Sequence, residues 1–267
     1  MEINEYYSEY YLAYLDILGI KRKISNSRQD VDIEAIIEAL SINSLIPNNG
    51  LKETSEIGNI KFYSWFFSDT IVLMVEKNIN ALPHLFLVIR FIHDKFAKSG
   101  LLLRGSVVVG QMYNGIEQNT NQHISHNKNI NRILLGPAII EAYQLENEIA
   151  IYPRILVSKK LYNEIKENNF KIYNYPISDN KKLLDLIKKD KDGLYYFDIL
   201  SKDIIRKKDE KLINNNEKFF IILPNDSERD DSIYSSLNDI IERHQNYRDI
   251  KILQKINWLK NYLDNIE

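Results

Sequence analysis

Two apolar β-type runs, residues 60–67 and 70–75, are separated by Ser68 and Asp69 alone. A gap that short closes as a tight hairpin with those two residues at its tip. Upstream, residues 10–18 are rich in aromatic and branched side chains and stop at Gly19, which predicts a buried first strand. Ile33, Ile36, Ile37, Leu40 and Ile42 then recur at helical spacing, so a helix is expected over 32–45, ended by Pro47-Asn48-Asn49-Gly50. After the hairpin, Leu85, Val88, Ile89, Ile92 and Phe96 predict a second helix over 83–98, and the run 101–109 a further strand. Polar residues 114–131 read as a loop. Gly136-Pro137-Ala138 starts a helix reaching about Ile149, with a short strand over 154–158 and a helix over 159–166 beyond it. The order strand, helix, strand, strand, helix, strand predicts an α+β fold with a ferredoxin-like (split βαβ) core, its antiparallel sheet covered on one face by helices. Residues 194–200 and 219–223 read as short strands on either side of the charged stretch 206–218. Residues 232–266 read as one or two amphipathic helices.

Composition narrows the function classes. The 267 residues, 44% hydrophobic, are enough for one sizeable core, and a net charge of -2 gives no electrostatic case for nucleic-acid binding. The chain has no cysteine, which removes thiolate metal sites and thiol nucleophiles. No apolar stretch is long enough for a membrane span and the N-terminus does not look like a signal peptide, so a cytoplasmic protein is expected. There is no Walker loop, no dinucleotide fingerprint and no nucleophile elbow.

Two aspartates sit where apolar strands meet turns. Asp16 ends the first strand and Asp69 tips the hairpin, and a carboxylate in so apolar a place costs several kcal/mol if buried unpaired. Each alone reads as a turn former or helix cap; in a split βαβ order the two converge, and the second reading is a site for Mg²⁺ or Mn²⁺, hard cations that take oxygen ligands. Asp16 has no basic neighbour on its own strand, which favours a metal as its counter-charge. Arg104, inside an apolar run, has two readings, an ion pair with a core acid or a phosphate contact, and Arg154 has the same two. Tyr63, Trp65 and Phe67 alternate on one strand face and either cradle a base or belong to the core. His123 and His126 are three apart in the polar loop, with no third ligand in view.

Asp16-Ile17-Leu18-Gly19 after a strand, Ser68-Asp69-Thr70-Ile71 at a hairpin, Arg104-Gly105 leading to Gly110, and Gly136-Pro137-Ala138-Ile139-Ile140-Glu141-Ala142-Tyr143 occur in that order. Together they resemble the catalytic domain of class III nucleotide cyclases. The resemblance is closest to the bacterial pyrimidine cyclases of Pycsar anti-phage defence, which have similar strings around Tyr152-Pro153-Arg154-Ile155 and a C-terminal helix containing a Trp, here Trp258. It spans about residues 10–165. It implies a catalytic core over 1–170 and a C-terminal elaboration over 171–267 that packs on it. It also implies a homodimer with interfacial active sites, a nucleoside triphosphate substrate, a downstream cyclic-nucleotide effector, and two Mg²⁺ or Mn²⁺ ions held by Asp16, Asp69 and the Ile17 carbonyl. Arg104 or Arg154 is then a candidate, by charge alone, for the cation that meets the departing phosphates, and Gly19, Tyr63, Trp65, Ile133 and Gln144 are the candidates to line the nucleotide.

The chain also departs from the family. Where purine-specific members have a base-reading Lys and Asp, it has Trp65 and Ile133, and where they have a ribose-orienting Asn and a transition-state Arg, it has Ile140 and Gln144. The resemblance therefore implies a cyclase making cUMP or cCMP. Two alternatives stay open: a catalytically degenerate cyclase-fold module that binds a nucleotide or a partner, and a purine cyclase with unusual base contacts.

Overall fold

The computed structural model describes residues 7–20, 60, 62–113, 134–168, 170, 182–200, 226–246 and 248–265. The expected helix over 32–45, the loop with His123 and His126, Ile133, and the run 219–223 lie outside the described residues. Strand β1 (Tyr7–Leu18) pairs antiparallel with β3 (Thr70–Glu76) on one side and β4 (Leu102–Tyr113) on the other. Strand β2 (Phe62–Phe67) forms the expected hairpin with β3. At its tip Ser68 takes the left-handed conformation, with φ 58°, that a two-residue connection asks for. Both β1 and β2 run antiparallel to β3, so they are parallel to each other with β3 between them.

Beyond β4 the sheet departs from the expectation. Strand β5 (Ile155–Val157) lies parallel to β4, which makes the sheet mixed. Strands β6 (Ile187–Lys189) and β7 (Tyr195–Phe197) continue it, giving the order β2-β3-β1-β4-β5-β7-β6. The protein is thus a mixed α/β structure. No helix among the described residues is long and apolar enough to cross a membrane.

Strand alternation divides the buried side chains between two faces. Tyr11, Ala13, Leu15 and Ile17 join Ile71, Leu73, Val107 and Val109 on the first face, under helix α1 (Ala81–Lys98). That core continues into α3 (Lys159–Asn168), α4 (Asp226–His244) and α5 (Ile250–Asp264) through Leu161, Leu237, Ile256 and Leu259. The second face, carrying Tyr10, Leu12, Val72, Met74, Val108 and Met112, was expected to be bare. Helix α2 (Pro137–Gln144) covers part of it through Ala138 and Ala142 and runs on as a π-helical turn over Leu145–Ile149.

Two glycines explain how α2 comes so close. A Cβ on Gly110 would stand 3.2 Å from the Ala138 Cβ, so the helix lies almost on the strand backbone. Gly136 has φ 153° and a Cβ there would meet the Gln111 carbonyl at 2.6 Å, so only glycine fits before the helix. The Ser106 hydroxyl then donates to the Ala142 carbonyl at 2.8 Å, tying the helix to the strand midway. Small residues in this motif thus set the height of α2 above the sheet, and with it the position of the turn that follows.

Candidate functional site

The site forms at the edge of the second face, where β1, β3 and β4 present side chains in register. Asp16 lies opposite Thr70 of β3 and Arg104 of β4, and Phe67 lies opposite Thr70 in turn. These four side chains therefore make one cross-strand row. The Ile17 N–H donates to the Asp69 carbonyl at 2.8 Å, which pins the hairpin tip to the end of β1. Asp16 and Asp69, far apart in sequence, are brought together by that contact, and both are half-buried.

Asp16 does have a basic neighbour, supplied by the adjacent strand. Arg104 Nε donates to Asp16 Oδ2 at 2.8 Å and Nη1 donates to the Ala150 carbonyl at 3.2 Å. Arg104 Nη2 stands 2.8 Å from Glu146 Oε1 without the alignment of a hydrogen bond. The ion-pair reading of Arg104 is what the structure contains, and the expectation that Asp16 lacks a salt-bridge partner is corrected. Periodicity within β1 could not reveal a partner 88 residues away.

Glu146 joins the site from the π-helical turn, at 4% exposure. Burial pushes its carboxyl pKa up, Arg104 opposes that, and the charges of Asp16 and Asp69 add to the rise. The signal for it in the sequence was a stripe: Ala138, Ala142 and Glu146 follow at intervals of four, so an acid continues the buried face of a helix. Lys255 comes from α5 and is half-buried. Burial lowers its pKa, Arg104 lowers it further, and Asp16 opposes. Its signal was similar, a lysine falling between Ile252, Ile256 and Leu259 on the apolar stripe. Neither residue stands out from sequence alone as a site candidate.

The raised pKa of Glu146 has a measurable consequence. Over the interval above its ordinary 4.5 it holds a proton in the folded protein that it has lost in the unfolded chain. Its contribution to stability therefore falls as pH rises from the ordinary value through the raised one. Glu146→Gln should remove that fall. Thermal melts of both proteins across the interval should converge at the acid end and diverge toward neutrality; parallel curves would count against the assignment.

Arg154 is placed elsewhere. Its side chain is 1% exposed and bound to Asp190 and Asp192 from the β6–β7 turn. It also lies over Tyr152 and Trp258, at 5.1 and 6.0 Å from the ring centres. As placed, its charge is met by those two aspartates, the ion-pair reading again. Tyr63 is 7% exposed, stacks on Trp65 at 6.4 Å and meets Tyr10 edge-on at 6.3 Å, so it belongs to the second core while Trp65 is half-buried beside it. Gly19 turns the chain after β1 with φ 88°, and Gln144 is exposed on α2. Tyr14, one row from Asp16, meets Tyr143 edge-on at 5.8 Å, and its phenol pKa is raised, chiefly by burial.

No protein-family model matches the chain, and no curated protein matches it significantly. The chemistry of the site therefore rests on its own residues. Among the described residues no group of three or more His, Asp or Glu side chains is gathered as a metal site. Carboxylates are ligands that suit hard divalent cations, and Asp16 and Asp69 bring two of them to the end of β1. Asp16, Asp69 and Glu146 share one field with Arg104 as a positive partner.

Proposed function

We propose that the chain is a metal-dependent nucleotide cyclase of the class III type, converting UTP or CTP to the 3′,5′-cyclic monophosphate and pyrophosphate as an anti-phage signal read by an effector protein. The observation that supports this best is the meeting of Asp16 and Asp69 across β1 and the hairpin tip. The order β2-β3-β1-β4 around them agrees with the ferredoxin-like core that such a domain has.

In this reading Asp16, Asp69 and the Ile17 carbonyl hold Mg²⁺ or Mn²⁺, which when bound lowers the pKa of the ribose 3′-hydroxyl and neutralises phosphate charge. The 3′-oxygen forms a bond to the α-phosphorus, the bond from that phosphorus to the β-phosphate oxygen breaks, and the hydroxyl proton passes to solvent. Arg104 keeps Asp16 oriented and presents positive charge to the phosphates, while Glu146 steadies the far side of the guanidinium. Phe67, Leu135, Ile140 and Tyr143 leave large apolar surface exposed at this side of the sheet, between 48% and 57% each, which supports a second copy of the chain covering it.

The test is a nucleotide panel. Purified dimeric protein with Mn²⁺ and each of the four ribonucleoside triphosphates should give cUMP or cCMP and pyrophosphate by mass spectrometry. Absence of any cyclic product from all four would refute the reading.

One observation favours a second reading, a nucleotide-binding module without turnover: Arg104 engages the carboxylate that a metal needs. Such a module would gain thermal stability with nucleotide, about 2.7 kcal/mol at a hundredfold excess over Kd, and yield no product.

A further inference from the structure

Tyr162, in the first turn of α3, and Tyr195, at the start of β7, lie face to face beside the outer part of the sheet. Their ring centres are 3.6 Å apart and their planes 10° from parallel. Aromatic rings ordinarily prefer an offset stack or an edge-on approach with the centres farther apart. Tyr14–Tyr143 and Tyr196–Tyr262, by contrast, meet edge-on at 5.8 and 6.1 Å. The hydroxyls of Tyr162 and Tyr195 also interact with each other, so the two rings point the same way and the ortho carbons beside each hydroxyl are stacked. Both residues are half-buried, and neither is sealed from solvent.

A phenol that loses an electron and a proton becomes a phenoxyl radical, whose unpaired spin lies largely on the ortho carbons in orbitals perpendicular to the ring. Face-to-face stacking aims those orbitals at each other. We propose that Tyr162 and Tyr195 form an oxidative modification site, at which a peroxide spent in one-electron steps couples them into a dityrosine. Each ring gives up one electron and one proton, and the two radicals join through a carbon–carbon bond between ortho carbons. The hydrogens on those carbons then move to the oxygens and restore two phenols. The two electrons and two protons turn one hydrogen peroxide into two waters. Sulfur, the usual competing sink, is scarce: the chain has no cysteine, and Met74 and Met112 are buried at 1% exposure. The new bond ties α3 to β7, which is held to β5 and to β6 by three register pairs each. A covalent link there closes a loop of the unfolded chain and so stabilises the sheet where its ladders are short.

The test treats the full chain with hydrogen peroxide and a small haem peptide as the one-electron catalyst, and isolates the chain of monomer size under denaturing conditions. That chain should lose two hydrogen atoms in mass and gain dityrosine fluorescence. Trypsin should release residues 161–166 joined to 192–202, with fragmentation placing the bond on Tyr195 and not on Tyr196. The yield should exceed that of Tyr162→Phe or Tyr195→Phe by about tenfold or more, the advantage of reacting groups held in contact, while Tyr196→Phe should match the unaltered protein. Phenylalanine keeps the stacked ring, and mapping the bond in the unaltered chain needs no variant to fold. The cross-linked chain should also melt higher than equally oxidised Tyr162→Phe. Absence of the joined peptide, a bond on Tyr196, an undiminished yield in either tyrosine variant, or equal melting would each overturn the proposal. None of these outcomes depends on nucleotide turnover, so the proposal stands or falls apart from the cyclase reading.

Discussion

Asp69→Asn is expected to lower cyclic-product formation by about 10³-fold or more while leaving the melting temperature close to that of the unaltered protein. The rate effect follows from losing a metal ligand, worth several kcal/mol of transition-state charge stabilisation, where each 1.36 kcal/mol is a factor of ten. The hairpin tip should keep one anchor, the main-chain carbonyl of Asp69, which accepts from Ile17 N–H and survives the substitution. Asp16→Asn should abolish product to the same degree but melt lower. Its carboxylate also receives Arg104 Nε, and a charge-assisted bond is worth about 1.5–3 kcal/mol, reduced here because both side chains keep some access to water. Arg104 still has Glu146 and the Ala150 carbonyl, so the loss stays partial. Equal inactivity with unequal stability is thus the expected pattern. Product within tenfold of the unaltered protein in both variants would remove the two aspartates from the chemistry.

The sequence carries the hairpin and the faces of its strands more plainly than their partners. Two residues between apolar runs permit little except a hairpin, and alternation alone puts Asp16, Thr70 and Phe67 on one face once the strands are placed. Which residue of β4 comes opposite Asp16 depends on long-range register, and a strand's period of two says nothing about that. Arg104 was therefore readable as a charge in an apolar run but not as the partner of Asp16. Helix α2 was readable from Gly136-Pro137, yet its place on the second face depends on the bare backbone at Gly110, a matter of contact that no periodicity encodes. Strand β7 lies within the short strand expected over 194–200, but β6 has three residues, too few for alternation to register, and so the turn that supplies Asp190 and Asp192 to Arg154 stayed out of sight. Glu146 and Lys255 interrupt apolar stripes, which marks a charge on a buried face without saying what it meets there.

Arg154→Met should be the most destabilising single change among the charged residues discussed, at about 3–5 kcal/mol, the loss expected when one partner of a buried ion pair is removed. The methionine fills much of the volume, so the effect is electrostatic more than a cavity. The variant leaves Asp190 and Asp192 at one turn without their cation, and Asp190 with only the Trp258 indole and the Lys191 N–H as donors. Burial pushes the Asp192 carboxyl up, but the hydrogen bond from Arg154, with help from the Leu194 N–H, brings its pKa below the ordinary 3.8. Asp192 thus stabilises the fold above that value and stops doing so as pH falls through the lowered one, a loss that should shrink in Arg154→Met. Adding Asp190→Asn and Asp192→Asn to Arg154→Met should restore part of the stability, because neutral amides need no counter-charge. A single variant within 1 kcal/mol of the unaltered protein would show the cluster to be dispensable. Activity should separate this cluster from the Asp16 site: Arg154 variants lose product only as they unfold.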